Sequence, residues 1–291
     1  MLCAGSGMIG RRAFTSFTTS APLVIEGAGW SPDDPRNTCD VVISGSEDWS
    51  GGWTQDADGN WVKPWPHSWG VPPKGSGITF GVSDAFLRQE LVHVNGQTFY
   101  QLNPPDPNYV NQNGQVSGAV EGDNVNGGRL EDAEGAFWIV DASGTTPGTI
   151  TLKLPANTPA DFDLNATGNL VEVSTKGGFQ IWRDPNAVSE TNVVLRNLTF
   201  QHCRRGYAAL IQNQVNLLIE DCRFINNKRN GLVISPGRRN LTLRRVECRG
   251  NGESGAGLTT VENALLEHCI FSGNSRQGEI VGYAGWSVCG I

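Results

Sequence analysis

The chain has 291 residues, 38% hydrophobic and 18% charged, with 37 glycines and a formal charge of −7. Glycine is well above its usual ~7% but follows no G-X-Y period, which excludes collagen; no apolar run reaches the ~18 residues of a membrane span, and apolar residues spread throughout exclude wholesale disorder. The charge is −11 over residues 1–189 and +4 over residues 190–291; the overall acidity excludes general nucleic-acid binding, while the basic last third is either a solvated surface or a face for an anionic ligand.

In chain order, Met1 to Gly7 shows no basic segment followed by an apolar one, so no signal peptide is visible. The seven cysteines form no close Cys-x-x-Cys pair and do not fix the compartment. Two short strands, each ended by glycine, are predicted at Pro22–Gly27 and Asp40–Gly45, as in an early coil of a solenoid.

From Glu47 to Leu170 the later rhythm of the chain is absent. Trp49, Trp53, Trp61, Trp65 and Trp69, five of the nine tryptophans, fall within 21 residues of it. They either fill the core of a small β unit or stack on sugar rings; Trp65 and Trp69 are the substrate-binding candidates among them. Asp56-Ala57-Asp58-Gly59-Asn60 opens like a calcium loop, but no carboxylate stands at the twelfth position. A hairpin turn between Trp53 and Trp61 is the better reading. Calcium dependence stays open, and no other cofactor is implied. A hairpin turn is predicted at Asn95-Gly96, and a second hairpin pairs Gly135–Asp141 with Thr149–Pro155. Residues 103–128, rich in Asn, Gly and Pro, read as a long loop.

The last hundred residues repeat. NVVLRNLTFQHC (192–203), NLLIEDCRFINN (216–227), NLTLRRVECRGN (240–251) and NALLEHCIFSGN (263–274) align at intervals of 24, 24 and 23. Inward columns are Leu195/Ile219/Leu243/Leu266, Leu198/Cys222/Val246/Cys269, Phe200/Phe224/Cys248/Phe271 and Leu210/Ile234/Leu258/Val281. Tyr207, Gly231, Gly255 and Gly278 share a turn column. Each unit is too short to bury its own apolar side, so the units must stack. Short β-favouring runs broken by Asn and Gly, with no room for a crossover helix, predict an all-β parallel β-helix rising ~4.8 Å per coil. Asn227, Asn251 and Asn274 then form a ladder, with Asn expected to supply left-handed backbone; Cys203 replaces Asn in that column. Cys222 and Cys269, two coils apart at ~9.6 Å, exceed the ~7 Å limit for a disulfide.

The repeat resembles the right-handed parallel β-helix proteins. Val92-His93-Val94-Asn95-Gly96, Gly135 to Asp141 and Thr149 to Pro155, followed by regular coils, are similar in layout to a group of large bacterial β-helix proteins that includes the β-xylosidase-like and fucosidase-like glycosidases. The resemblance implies a secreted or periplasmic carbohydrate-active protein whose partner is a polysaccharide or oligosaccharide. It carries no catalytic residue across. It also implies coils beyond Ile291 and an earlier coil before Gly7, so the chain reads as a fragment. The domain reading is residues 1–45 early coils, 46–170 a β-rich insertion, and 171–291 regular coils.

Candidate chemistry comes from the repeat phase. Arg205, Arg229, Glu253 and Arg276 fall in one column, with Arg204 and Lys228 beside it. Either Glu253 bridges its arginine neighbours on a wet surface, or the arginines recognise uronate or sulfate. In a lyase, Lys228 or Arg229 would abstract the proton. Glycoside hydrolysis asks for two carboxyls ~5–9.5 Å apart; Glu253 and Glu279, on adjacent coils, are the pair if both turn the same way. His202 and His268 show no metal-ligand spacing, and no metal residue is assigned. The leading expectation is a glycoside hydrolase on a plant or algal glycan. A lyase on an acidic glycan and a non-catalytic glycan-binding module are the alternatives; oligomeric state is left open.

Overall fold

The computed structural model describes residues 22–31, 33, 41–70, 88–104, 135–182, 192–204, 206–236 and 239–274. Every regular element among them is a β-strand. The chain divides into two compact units, one of residues 1–45, 175–276 and 288–291, the other of residues 46–174 and 277–287.

The first unit is the solenoid. It opens with β1 (Leu23–Glu26) and β2 (Val41–Ser44). The second unit holds β3 (Ser46–Asp48), β4 (Thr54–Gln55), β5 (Trp61–Trp65), β6 (Val92–Val94), β7 (Gln97–Thr98), β8 (Tyr100–Gln101), β9 (Ala136–Val140), β10 (Gly148–Lys153) and β11 (Val171–Ser174). The solenoid resumes with β12 (Phe179–Trp182), β13 (Asn192–Gln201), β14 (Tyr207–Gln212), β15 (Asn216–Ile225) and β16 (Asn230–Ile234). It continues with β17 (Arg239–Arg244), β18 (Glu247–Arg249), β19 (Ala256–Leu258), β20 (Glu262–Glu267) and β21 (Ile270–Ser272).

In the solenoid, two parallel sheets run up the stack. The first follows β1-β13-β15-β17-β20, with β2, β18 and β21 extending its second half; the other is β12-β14-β16-β19. The two early strands lie in one coil: β1 pairs with the first half of β13 and β2 with its second half. The sheet bends between the halves at one residue per coil in left-handed backbone: Asn197, Asp221, Arg245 and His268, φ 50–55°. In the early coil Gly27 stands beside Asn197 without left-handed backbone, and an added Cβ there would lie 1.8 Å from the Asn197 carbonyl oxygen.

The first three predicted inward columns form the core in three of their four coils; in the last described coil Cys269 and Phe271 are half-buried, and Leu266, expected inward, is 38% exposed. Leu195, Ile219, Leu243, Leu198, Cys222, Val246, Phe200, Phe224 and Cys248 are buried. Phe200 and Phe224 stack at 5.0 Å with rings 4° apart. Cys203, Cys222, Cys248 and Cys269 are free thiols, Cys222 and Cys269 as their coil spacing predicts. The fourth column needs correction. Ile211, not Leu210, pairs with Ile234, and Tyr207 pairs with Asn230, not with the glycine after it. The first coil holds one more residue than the second between Cys203 and this strand, so a fixed 24-residue step slips by one there. Leu210 therefore lies beside Val233 and Gly257 on the outward positions. Val281 and Gly278 lie outside the described residues.

The asparagine ladder forms by another means than expected. Left-handed backbone falls one residue earlier, at His202, Asn226, Gly250 and Gly273. The ladder residues instead turn inward and bond to one another. Asn227 Nδ2 donates to Asn251 Oδ1 (2.9 Å), and Asn251 Nδ2 donates to Asn274 Oδ1 (2.9 Å). The same amides also reach the carbonyls of Phe200 and Phe224. At the bottom, the Cys203 backbone N–H donates to Asn227 Oδ1.

The second unit has two sheets, β4-β5-β10-β9-β8 and β3-β11-β6-β7. Both predicted hairpins are present. Asn95 and Gly96, at φ 49° and 80°, turn β6 into β7, and β9 pairs antiparallel with β10. The Asp56–Asn60 segment is the hairpin turn between β4 and β5. Asp56 Oδ1 accepts the N–H groups of Asp58 and Asn60, and Gly59 sits at φ 81°. Trp53, Trp61 and Trp65 join Val92, Phe137, Ile150, Leu152 and Val173 in the core. The loop expected at residues 103–128 lies almost wholly outside the described residues.

Candidate functional site

In the solenoid, the candidate column stands on the turn between the end of the first sheet and the start of the second. Glu253 N–H donates to Arg229 O (3.0 Å), one coil below, which fixes the two side chains side by side. The Glu253 carboxylate accepts from the Arg229 guanidinium and, at 2.8 Å, from Asn230 Nδ2. Glu253 is 7% exposed. Its oxygens are thus bound from two sides within the fold. Lys228 is 0% exposed, so its ammonium does not face a groove. Arg204 is half-buried, and its backbone N–H donates to Lys176 O. Arg205, Arg276 and Glu279 lie outside the described residues. The structure therefore brings together Arg229, Glu253 and Asn230. Asn230 was not singled out from the sequence; its position one residue past Arg229, opposite a coil carrying Glu253, is the signal.

Five other described arginines of the coils are also engaged. In the first sheet one column alternates in sign along the stack: Glu26, Arg196, Glu220, Arg244, Glu267. Arg196 contacts Glu26 and Glu220, at 2.5 and 3.6 Å. Arg244 contacts Glu220 and Glu267, at 3.7 and 2.8 Å. Arg245 grips Asp221 through two nitrogens, which holds its guanidinium above the usual arginine range. Arg223 and Arg249 both meet Glu247. Trp30 closes this corner: its ring lies 3.7 Å from the Arg196 guanidinium, and its Nε1 donates to Asp221.

In the second unit the tryptophans separate by role. Trp65 is 2% exposed and belongs to the core, whereas Trp49 and Trp69 are half-buried. His67 stacks on Trp69 at 4.2 Å, with rings 15° apart. Trp65 meets Trp69 edge-on at 5.3 Å and lies 5.4 Å from Trp49. The Trp65-Pro66-His67-Ser68-Trp69 alternation is what sets these rings side by side, and His67 was the member missed in the sequence. Lys63 lies over both Trp49 and Trp53 at 5.5 Å and donates to the carbonyls of Trp49 and Gly51. Burial among these rings pulls the Lys63 ammonium below its ordinary range.

The same unit holds a buried ionic cluster. Arg88 binds Asp141 (2.7 Å) and Glu90 (3.2 Å), and Gln101 Nε2 donates to Glu90 (3.2 Å). Burial alone would lower the Arg88 pKa, but the two carboxylates outweigh it and hold it above the usual value. Asp141 closes the Gly135–Asp141 motif, so that part of the motif is an anchor for Arg88. Among the described residues, no group of three or more His, Cys, Asp or Glu is arranged to hold a metal ion.

Residues 162–288 match a family model described as a right handed beta helix region. The coils are a right-handed parallel β-helix. Among solved structures the chain is similar to the complex of XylC with xylose, with 10% identity and a TM-score of 0.45 over 81% of this chain and 52% of that one. It is also similar to a glycoside hydrolase, with 12% identity and a TM-score of 0.42 over 85% of this chain and 59% of that one. The chain thus spans about half to three fifths of those two proteins. No curated protein matches it. No helix among the described residues is long and apolar enough to cross a membrane.

Proposed function

We propose that this β-helix protein acts on a neutral glycan, and that it does so by hydrolysis. The observation that carries the reading is the pairing of the coil arginines. Arg196, Arg223, Arg229, Arg244, Arg245 and Arg249 each lie against a carboxylate of the same solenoid. These six guanidinium groups are thereby engaged within the solenoid. A lyase needs a base and a cationic grip on the uronate; Lys228 is buried and Arg229 is bound to Glu253, which weighs against that alternative. The half-buried rings of Trp49, His67 and Trp69 suit the apolar face of an uncharged sugar. The motifs shared with β-helix glycosidases point to the same substrate class.

In this reading Glu253 is a structural carboxylate, and Glu279 is the first acid to test as a catalytic group. The test is a glycan-degradation screen on the purified chain, read by reducing ends and by absorbance near 235 nm. Reducing ends from a neutral polymer, without new absorbance and lost in Glu279→Gln, are the expected result. New absorbance from an acidic glycan would mean β-elimination and overturn the reading. Binding without either product would leave a glycan-binding module instead.

A further inference from the structure

The outer face of the first solenoid sheet, in the half before its bend, carries three stripes that the activity above does not use. The first is a second asparagine ladder: Asn192, Asn216, Asn240 and Asn263. Asn216 Nδ2 donates to Asn192 Oδ1, and Asn240 Nδ2 to Asn216 Oδ1, both at 2.8 Å; Asn263 Nδ2 donates to Asn240 Oδ1 at 3.3 Å. Two residues along each strand runs an aliphatic stripe, Val24, Val194, Leu218, Thr242 and Leu265. Its ends are 43% and 48% exposed, and its middle members are half-buried. Two residues further runs the alternating Glu26–Arg196–Glu220–Arg244–Glu267 column.

We infer that this face binds an extended, uncharged glycan lying along the stack, across the strands. The inference rests on the proposed neutral-glycan activity for its ligand class. Three features select that ligand. A primary amide has two N–H groups and two carbonyl lone pairs. The ladder consumes one of each at Asn216 and Asn240, so every inner rung keeps a donor and an acceptor, side by side, for a polyol. The aliphatic stripe beside it offers a continuous C–H surface for the apolar face of sugar rings. In the charge column each group touches one of opposite sign, with three carboxylates to two guanidinium groups, so it neither attracts an anionic polymer nor leaves a bare charge to desolvate beneath a neutral one. The arrangement repeats once per coil, about every 4.8 Å, which suits a polymer over a small molecule.

The test is affinity electrophoresis of the full chain in gels containing arabinoxylan, mixed-linkage β-glucan, galactomannan or polygalacturonate. At least one neutral polymer is expected to retard the protein, and polygalacturonate is not. Leu218→Glu, an outward position in mid-stripe, should weaken that retardation at least tenfold without moving the thermal midpoint by more than a few degrees. If Leu218→Glu fails to fold, Thr242→Glu on the next coil asks the same question. Unchanged retardation in both variants, retardation by polygalacturonate alone, or no retardation at all would overturn the inference. So would a dimer in sedimentation that Leu218→Glu dissociates, which would make the face a contact between two copies. Reducing-end release by the wild type is scored separately. Its presence with retardation unchanged in the variants leaves the hydrolase reading standing and removes this one; its absence removes the hydrolase reading.

Discussion

Arg229 and Glu253 are 24 residues apart in sequence and one coil apart in space, joined by a backbone hydrogen bond and by their side chains. A buried carboxylate held in this way is committed to the fold. Glu253→Gln should cost about 1–3 kcal/mol, because it removes the charge-assisted bond to Arg229. Arg229→Met should cost a similar amount, and the double variant less than the sum of the two. Urea midpoints for the four proteins measure this. Activity per folded molecule is expected to survive Glu253→Gln. A complete loss of turnover with an unchanged midpoint would restore Glu253 as a catalytic acid.

The two asparagine ladders predict unequal responses to the same substitution. Asn251 is buried, accepts from the backbone and side chain of Asn227, and donates to Asn274 and to the Phe224 carbonyl. Asn251→Ala strands several buried partners and should lose about 2–4 kcal/mol. Asn192 is exposed, and water replaces the ladder bond it accepts from Asn216, so Asn192→Ala should lose less than about 1 kcal/mol. Parallel urea titrations decide between this contrast and equal losses.

Most of the solenoid was legible because its physics is periodic. Phe200 and Phe224 sit 24 residues apart in sequence, and they stack in space for that reason. Periodicity fails where the coil length changes. The additional residue before Tyr207 moved Ile211 into the place predicted for Leu210, and no sequence column shows which side of a turn an insertion joins. The conformation of the inner asparagine ladder was misplaced by one residue, because an inward amide bonded to its neighbours and an amide in left-handed backbone share the same sequence signature. The candidate site was less legible than the fold. Column alignment put Arg229 beside Glu253, but the burial of Lys228 comes from the path of the turn around it. Contacts across long separations, such as Arg88 to Asp141, carry no period at all.

The early coil makes a steric prediction. At Gly27 a methyl group would enter the Asn197 carbonyl, which is backbone with no flexible end to yield. Gly27→Ala should therefore detach β1 from β13 or prevent folding. Gly29, two residues on, has open space around it and a φ of 82°, so Gly29→Ala meets only conformational strain, about 1 kcal/mol. Soluble yield and limited proteolysis of the two variants separate the cases. Equal behaviour would mean that β1 does not hold the register described.

The buried thiols set an alkaline limit on stability. Burial raises Cys203 from 9.0 to about 12, only partly offset by a backbone hydrogen bond from Gly45. Burial raises Cys248 as well, reinforced by Cys269 and Glu247. In the folded state these groups keep their protons; in the unfolded chain they release them near pH 9. The unfolded state therefore binds fewer protons above pH 9, and stability falls as pH rises through the window from about 9 to about 12. Below pH 9 both states hold the proton and the contribution is complete. The slope is at most about 1.4 kcal/mol per pH unit for each thiol. Urea midpoints at pH 8 and pH 10.5 should show the loss, and Cys203→Ala should flatten it relative to its own value at pH 8. A midpoint in the wild type that holds constant across that window would mean that these thiols meet water in the folded chain.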